Sequence, residues 1–417
     1  MITGNTVNIG GIAGGTTITA GAVLEMRGGV ISSNVGINGG GVLVNNGGIF
    51  TMRNGEITDN ISRWGGGVQI LGIFNMYGGR IHGNTSQDGN GGGVSNSGIF
   101  TMHSGEISGN TTVGEEYGNG GGLMVTGTFI MNGGRIFNNT ARVDGGGLFF
   151  LGEGIFTMND GEISGNTAAS DNFVQGGGVY IGTEGTFTMH GGRVSHNAIS
   201  SSFSGVSGGG VAVWEGTFTM RGGEIYDNTA TGHTWSGGGG VRVNGTFYMY
   251  NGRIHRNALN SIAGNGGGGG VGVYRGTFTM FNGEISNNTA NCYGWTEGGD
   301  VLVQDQGGIF HMHGGVIAGN TVTREGGDGG NAGGGVRVAS YQGAYGIFRM
   351  SGGIIHGDDS PEGLRNSSRS DRALGVGSDA IAKHGTFNAG AFNRIGDLTN
   401  TDFTVEVANG ALLQPQP

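Results

Sequence analysis

The sequence predicts an all-β fold: a right-handed parallel β-helix of about 12–13 three-stranded coils with a short C-terminal cap. Three observations carry this. A unit of 24 to 38 residues recurs along most of the chain, with the pattern GGGV-x-V, a short turn, G-[TI]-F-x-M, a polar or glycine turn, G-[ER]-I-x-x-N-T, then a variable loop. Apolar residues inside each unit recur at period two, the signature of strands, and no 3.6-residue period appears. Of 417 residues, 101 are Gly and only 3 are Pro, and the Gly residues fall at turns rather than at every third position, which excludes collagen.

Each element follows from its residues. V-x-V places Val42, Val68, Val94, Leu123 and Leu148 on one face of a short strand. F-x-M does the same for Phe50 through Phe348, each followed two residues later by Met. A third strand carries Ile or Val at 31, 57, 81, 107, 136, 163, 194, 225, 254, 285, 317 and 355. Strands this short bury a core only when stacked on their counterparts, about 4.8 Å apart, in parallel. A Gly stands two residues before each of these Ile or Val positions, where a tight corner requires positive φ or no Cβ. Three residues after each stands Asn, from Asn34 to Asn320, with Asp358 expected in the last unit. Stacked Asn side chains can pass amide hydrogen bonds from coil to coil.

The loop that follows lengthens along the chain, from 7 residues between Asn34 and Val42 to 15 between Asn320 and Val336. Variable loops on a rigid scaffold are where binding tends to reside. The repeats are placed at 1–387, with Phe387 in a degenerate last unit, and a capping segment at 388–417, where Phe403, Val405 and Val407 alternate as a final strand. The start, MITGNTVNIGG, matches the end of a unit, so the expectation is a chain beginning mid-repeat or after a lost leader.

The residue before each inward Ile alternates in sign: Glu56, Arg80, Glu106, Arg135, Glu162, Arg193, Glu224, Arg253, Glu284. It points outward, so its neighbour is the same position one coil away. Alternation makes these opposite pairs and opposes a one-coil slip of near-identical repeats.

The net charge of −10 and the single Lys, Lys383, leave no basic surface for nucleic acid. No apolar run is long enough to span a membrane. Cys292, alone, makes no internal disulfide. No cofactor or metal motif occurs. The Gly-rich stretch Gly266–Gly270 lacks the Lys and the helix of a phosphate loop.

The units GTFTMRGGEIYDNTA, GIFTMHSGEISGNTT and IFNNTARVDGGGL resemble the glycine-rich right-handed β-helix repeats of bacterial surface proteins, of spirochaete and gut-bacterial type. They are more distantly similar to the chlamydial polymorphic outer membrane proteins, through Ile136-Phe137-Asn138-Asn139 and Gly145-Gly146-Gly147-Leu148. The resemblance covers about residues 1–390. It implies an extracellular or cell-surface location and an adhesin-like or structural role, and supplies no catalytic residues.

The expected function is therefore a non-enzymatic surface protein presenting stacked loops. Its expected partners are surface glycans or host or community cell-surface proteins, and self-association. The alternative is a carbohydrate-binding or polysaccharide-degrading β-helix. The outward V-x-V positions hold no carboxylate, which argues against the usual lyase arrangement. However, Glu153, Glu184 and Glu215 stand three residues before Phe in consecutive units, near the aromatic residues Phe149, Tyr180, Trp214 and Tyr274. Stacked, those carboxylates would repel or share a cation, and aromatic faces beside carboxylates suit sugars. The plainer reading is three solvated turn residues. His311 and His313 share one strand face, and surface decoration is the plainer reading there too. Thr pairs such as Thr217/Thr219 and Thr277/Thr279 recur outside the F-x-M strand, but Tyr248 and His311 interrupt them, unlike a flat ice-binding array.

Overall fold

In the computed structural model the chain is an all-β parallel solenoid of stacked coils, with no helix among the described residues. The described residues are 1–5, 13–294, most of 300–324, shorter runs in 334–356 and Asn366, with the strands Ser367–Ser370, Ile381–Lys383, Leu398–Thr399, Phe403–Ala408 and Ala411–Leu412. By its internal contacts the chain divides into two units, Met1–Ser170 with Val174–Ala198, and Asp171–Phe173 with Ile199–Pro417.

In the first unit each column expected from the repeat pairs in parallel register. Val42, Val68, Val94, Leu123, Leu148 and Val179 align, as do Phe50, Phe74, Phe100, Phe129, Phe156 and Phe187. All are fully buried. The Phe rings stack with centroids 4.5–4.9 Å apart, the strand spacing itself. The second unit repeats this: Phe218, Phe247, Phe278, Phe310 and Phe348 stack at 4.7–5.0 Å, with Met and Ile columns beside them.

The Asn ladder runs Asn5, Asn34, Asn60, Asn84, Asn110, Asn139, Asn166, Asn197 in the first unit, each Nδ2 donating to the next Oδ1 at 2.8–3.0 Å. The backbone N–H of each Asn donates to the same oxygen, and Nδ2 also reaches an Ile carbonyl one coil back, as Asn84 does to Ile57 at 2.9 Å. In the second unit the ladder runs Asn228, Asn257, Asn288, Asn320, Asn366. Its last member is thus Asn366. Asp358, expected there from spacing, lies outside the described residues. A longer insertion before Asn366 moved the partner further along the chain than fixed spacing allows.

Three strands per coil underestimates the fold. A fourth follows the ladder Asn, as at Thr85–Ser86, Thr111–Thr112 and Thr167–Ser170, and at Thr229–Gly232, Ala258–Ser261 and Thr289–Cys292. Its inward residues, including Ala168, Ala230 and Leu259, are buried. These inward side chains are small or mixed, so the segment read as loop. Phe403–Ala408, expected as a final strand, pairs antiparallel with Ile347–Met350. Phe387 and most of 388–417 lie outside the described residues.

Candidate functional site

The corners position everything outward. At Gly134, φ is +90°, and an added Cβ would stand 2.6 Å from Met102 Cε and 2.7 Å from the Gly105 carbonyl. Only Gly fits, so the chain turns tightly and sets the next residue, Arg135, on the outer face. The alternating charges then meet: Arg80 and Glu56 at 3.0 Å, Arg135 and Glu162 at 3.3 Å in the first unit. In the second unit Arg253 lies 3.8 Å from Glu224 and 3.2 Å from Glu284. All are substantially exposed, worth about 0.2–1 kcal/mol per pair. Two residues before the loop strand, a left-handed corner accepts side chains, and there Arg256 grips Asp227 bidentately at 2.9 and 2.8 Å.

Glu153, Glu184 and Glu215 are exposed turn residues; Glu184 and Glu215 have φ of +64° and +58°. Glu153 and Glu184 belong to the first unit and Glu215 to the second. Among the described residues no group of three or more His, Cys, Asp or Glu side chains is placed to hold a metal ion.

Of the aromatic residues expected beside them, three are buried and one is half-buried. Phe149 and Tyr180 stack on each other at 4.9 Å and are only 7% and 9% exposed. Tyr274 is buried against Leu302. Trp214 is half-buried. The outer face of the V-x-V sheet, treated as solvent-facing in the sequence, is buried at most described positions, with Gln69 and Met124 half-buried. In the second unit the loop strands Val206–Ser207, Ser236–Gly237 and Gly266–Gly267 pair as a small sheet of their own. Arg242, an outward V-x-V residue, is buried there. Its Nη1 donates to Ser207 Oγ at 2.6 Å, its Nε to Asn244 Oδ1 at 2.9 Å, and its guanidinium lies 3.4 Å from the centre of the Tyr274 ring. Trp235 meets Tyr274 edge-on at 4.5 Å. Burial pushes the Arg242 guanidinium down to about 10. Nothing in the repeat pattern marks Trp235 or Arg242, because they come from a loop and from a variable position.

Two carboxyls, one half-buried and one fully buried, also escaped the pattern. The residues before four successive GGG turns of the first unit are linked, the backbone N–H of Asn119 donating to Asn90 Oδ1, that of Asp144 to Asn119 Oδ1 and that of Gln175 to Asp144 Oδ1, at 3.0, 3.0 and 2.7 Å. This second ladder runs opposite to the first, from later coil to earlier. Burial pushes the Asp144 carboxyl up to about 7, the Gln175 N–H opposing it. Asp300 stands where other coils have the third Gly of GGG and is fully buried. Neither oxygen has a hydrogen bond of good geometry. The Asn288 and Asn320 amides lie near enough to favour the charged form, but burial dominates and holds the carboxyl well above its usual range. The ladder link between those two Asn is 3.4 Å, against 2.9 Å for the preceding link, Asn257 to Asn288.

The open surface lies outside the F-x-M sheet. In the first unit Arg53 covers Tyr77 at 5.0 Å and Tyr77 stacks on His103 at 4.4 Å. In the second, Arg221 covers Tyr250 at 5.0 Å, Tyr250 stacks on Phe281 at 4.7 Å, and Phe281 on His313 at 5.3 Å. These residues immediately follow each Met, a position legible in the repeat. Comparison of the chain with protein-family models, curated proteins and solved structures finds no match.

Proposed function

We infer that the protein is a non-enzymatic scaffold of an extracellular or cell-surface setting, adhesin-like or structural, that presents repeated side chains and loops to a partner. The observation that carries this reading is the contrast between its two outer faces. On the V-x-V side, the aromatic and cationic groups are buried in contacts such as Phe149 with Tyr180 and Arg242 with Tyr274. On the F-x-M side, side chains at one repeat position stay exposed in ordered columns. Repetition at coil spacing suits avidity for a repetitive partner more than it suits a single reaction centre. Glycoside hydrolysis also needs a carboxyl pair about 5–10 Å apart in a defined geometry, and Glu153, Glu184 and Glu215 are exposed turn residues.

Labelled full-length protein should bind intact cells or isolated envelopes saturably. A panel of neutral and acidic polysaccharides should gain no reducing ends or unsaturated products on incubation with it. Cleavage of any polysaccharide that disappears in Glu184→Gln would overturn this reading in favour of the carbohydrate-active alternative.

A further inference from the structure

We propose that the outer face of the F-x-M sheet in the second unit, from Arg221 to His313, is a docking surface for a linear anionic polysaccharide. The proposal rests on the scaffold reading above and names the partner for one face of it.

Two parallel columns build this face. In one, Thr219, Tyr248, Thr279 and His311 are in register on successive strands. In the other, Arg221, Tyr250, Phe281 and His313 stack ring on ring at coil spacing. The columns touch, with Tyr248 and Tyr250 at 6.5 Å and His311 and His313 at 6.3 Å between ring centres. Tyr248, Tyr250 and Phe281 are 36–40% exposed.

The chemistry of the face selects the sign of its partner. Neither column contains a carboxylate, although the chain carries a net charge of −10. The carboxylates that follow in sequence, Glu224 and Glu284, three residues after Arg221 and Phe281, stand past the next corner and are ion-paired with Arg253. Tyr250 and Phe281 use both ring faces on their neighbours, so what they offer to solvent is the ring edge. The edge is the positive rim of an aromatic quadrupole, whereas stacking of a neutral sugar needs the negative face. A guanidinium, two imidazoles, tyrosine hydroxyls and ring edges together favour an anion bearing hydroxyls. Recognition elements recur once per coil, and the strand spacing is close to the length of one pyranose residue, so a linear glycan can meet one after another without bending. An extended acidic peptide presents side chains on one face only every second residue, about 6.8 Å apart, out of step with coils about 4.8 Å apart.

The test is affinity electrophoresis and calorimetry of the full chain with polygalacturonate, a sulfated glycan, dextran and poly-glutamate. Polygalacturonate or the sulfated glycan should bind, and dextran should not. Binding should weaken roughly tenfold or more in Arg221→Ala with Tyr250→Ala, the scale of losing one charge-assisted contact, and should fall as salt rises. Arg221→Lys should retain most of it, and unchanged thermal melts should show that the variants fold. Absence of binding to both anionic glycans, equal binding of dextran, tighter binding of poly-glutamate, or full binding by the double variant each overturns the proposal. If the protein still binds cells in those cases, the scaffold reading survives and only this face assignment fails.

Discussion

Asp300 sits among the ladder amides as a carboxyl in a place built for a glycine hydrogen. An ionised form there faces burial without a good partner, so the folded state holds its proton more tightly than the unfolded chain does. The sign follows: with its folded pKa raised, Asp300 costs nothing below the ordinary carboxylate range near pH 4 and progressively lowers stability as pH rises toward the elevated folded value. Asp300→Gly should therefore raise the melting temperature at neutral pH, by the equivalent of about 1–3 kcal/mol, and the gain should shrink toward pH 4. Melts at the two pH values check this; a gain independent of pH would mean that packing, not charge, is responsible. Asp300 escaped the sequence reading, because the repeat pattern does not show that the third Gly of GGG faces the ladder. For the proposed site the position after Met was legible as a repeated outward residue. That its rings would face one another rather than solvent depends on side-chain torsions that no pattern encodes. Tyr274 was singled out for its proximity to the Glu positions, and only the fold reveals that Arg242 and Trp235 enclose it.

The corner elements divide glycines by the reason each is there. Gly134 and Gly109 both have positive φ, at +90° and +61°, but Gly134 is hemmed in by Met102 and the Gly105 carbonyl, while an added Cβ at Gly109 would find its nearest atom 3.9 Å away. Equivalent corners to Gly109 carry Asn138, His196, Arg256 and Asn287 with φ of 54–55°. Gly134→Ala should accordingly cost about 1–3 kcal/mol more than Gly109→Ala, the difference being overpacking rather than backbone strain. Paired denaturant titrations measure it; equal losses would mean that the corner relaxes freely. The columns at these corners were readable because a period-two strand leaves no ambiguity about inside and outside. The fourth strand was not, because its inward Ser, Thr and Ala residues carry too little apolar contrast to stand out from a loop.

At the scale of the molecule, near-identical coils pose a problem of register, and the alternating charges bear on it. Deleting Thr111–Asn139 joins Asn110 to Thr140 and makes Glu106 the neighbour of Glu162. Deleting Thr111–Asn166 instead places Glu106 beside Arg193. Every other column continues in both. The shorter deletion should therefore gain melting temperature when salt is added at low ionic strength, and the longer one should lose a little or stay level, each by an amount matching about 0.2–1 kcal/mol. The same salt response in both would show that the alternation has no energetic role. The stacking itself was legible from the first repeat units, since unit length, Phe and Met spacing, and Asn position together admit little else. The division of the loops between a covering layer and exposed turns was not legible, because loop length records how much chain is present and not where it lies.

The direction of the Asn ladder has a bearing on how the protein is made. In both units every Asn-to-Asn link of the main ladder runs one way, Nδ2 donating to the Oδ1 of the coil with higher residue numbers. A ribosome releases the low-numbered coils first, and each completed coil then holds out an N–H that only the next Asn oxygen satisfies. Synthesis and hydrogen-bond polarity run the same way. Every finished turn is thus a template with one open end, and the nascent chain can wind onto it as it emerges, without waiting for the C-terminus.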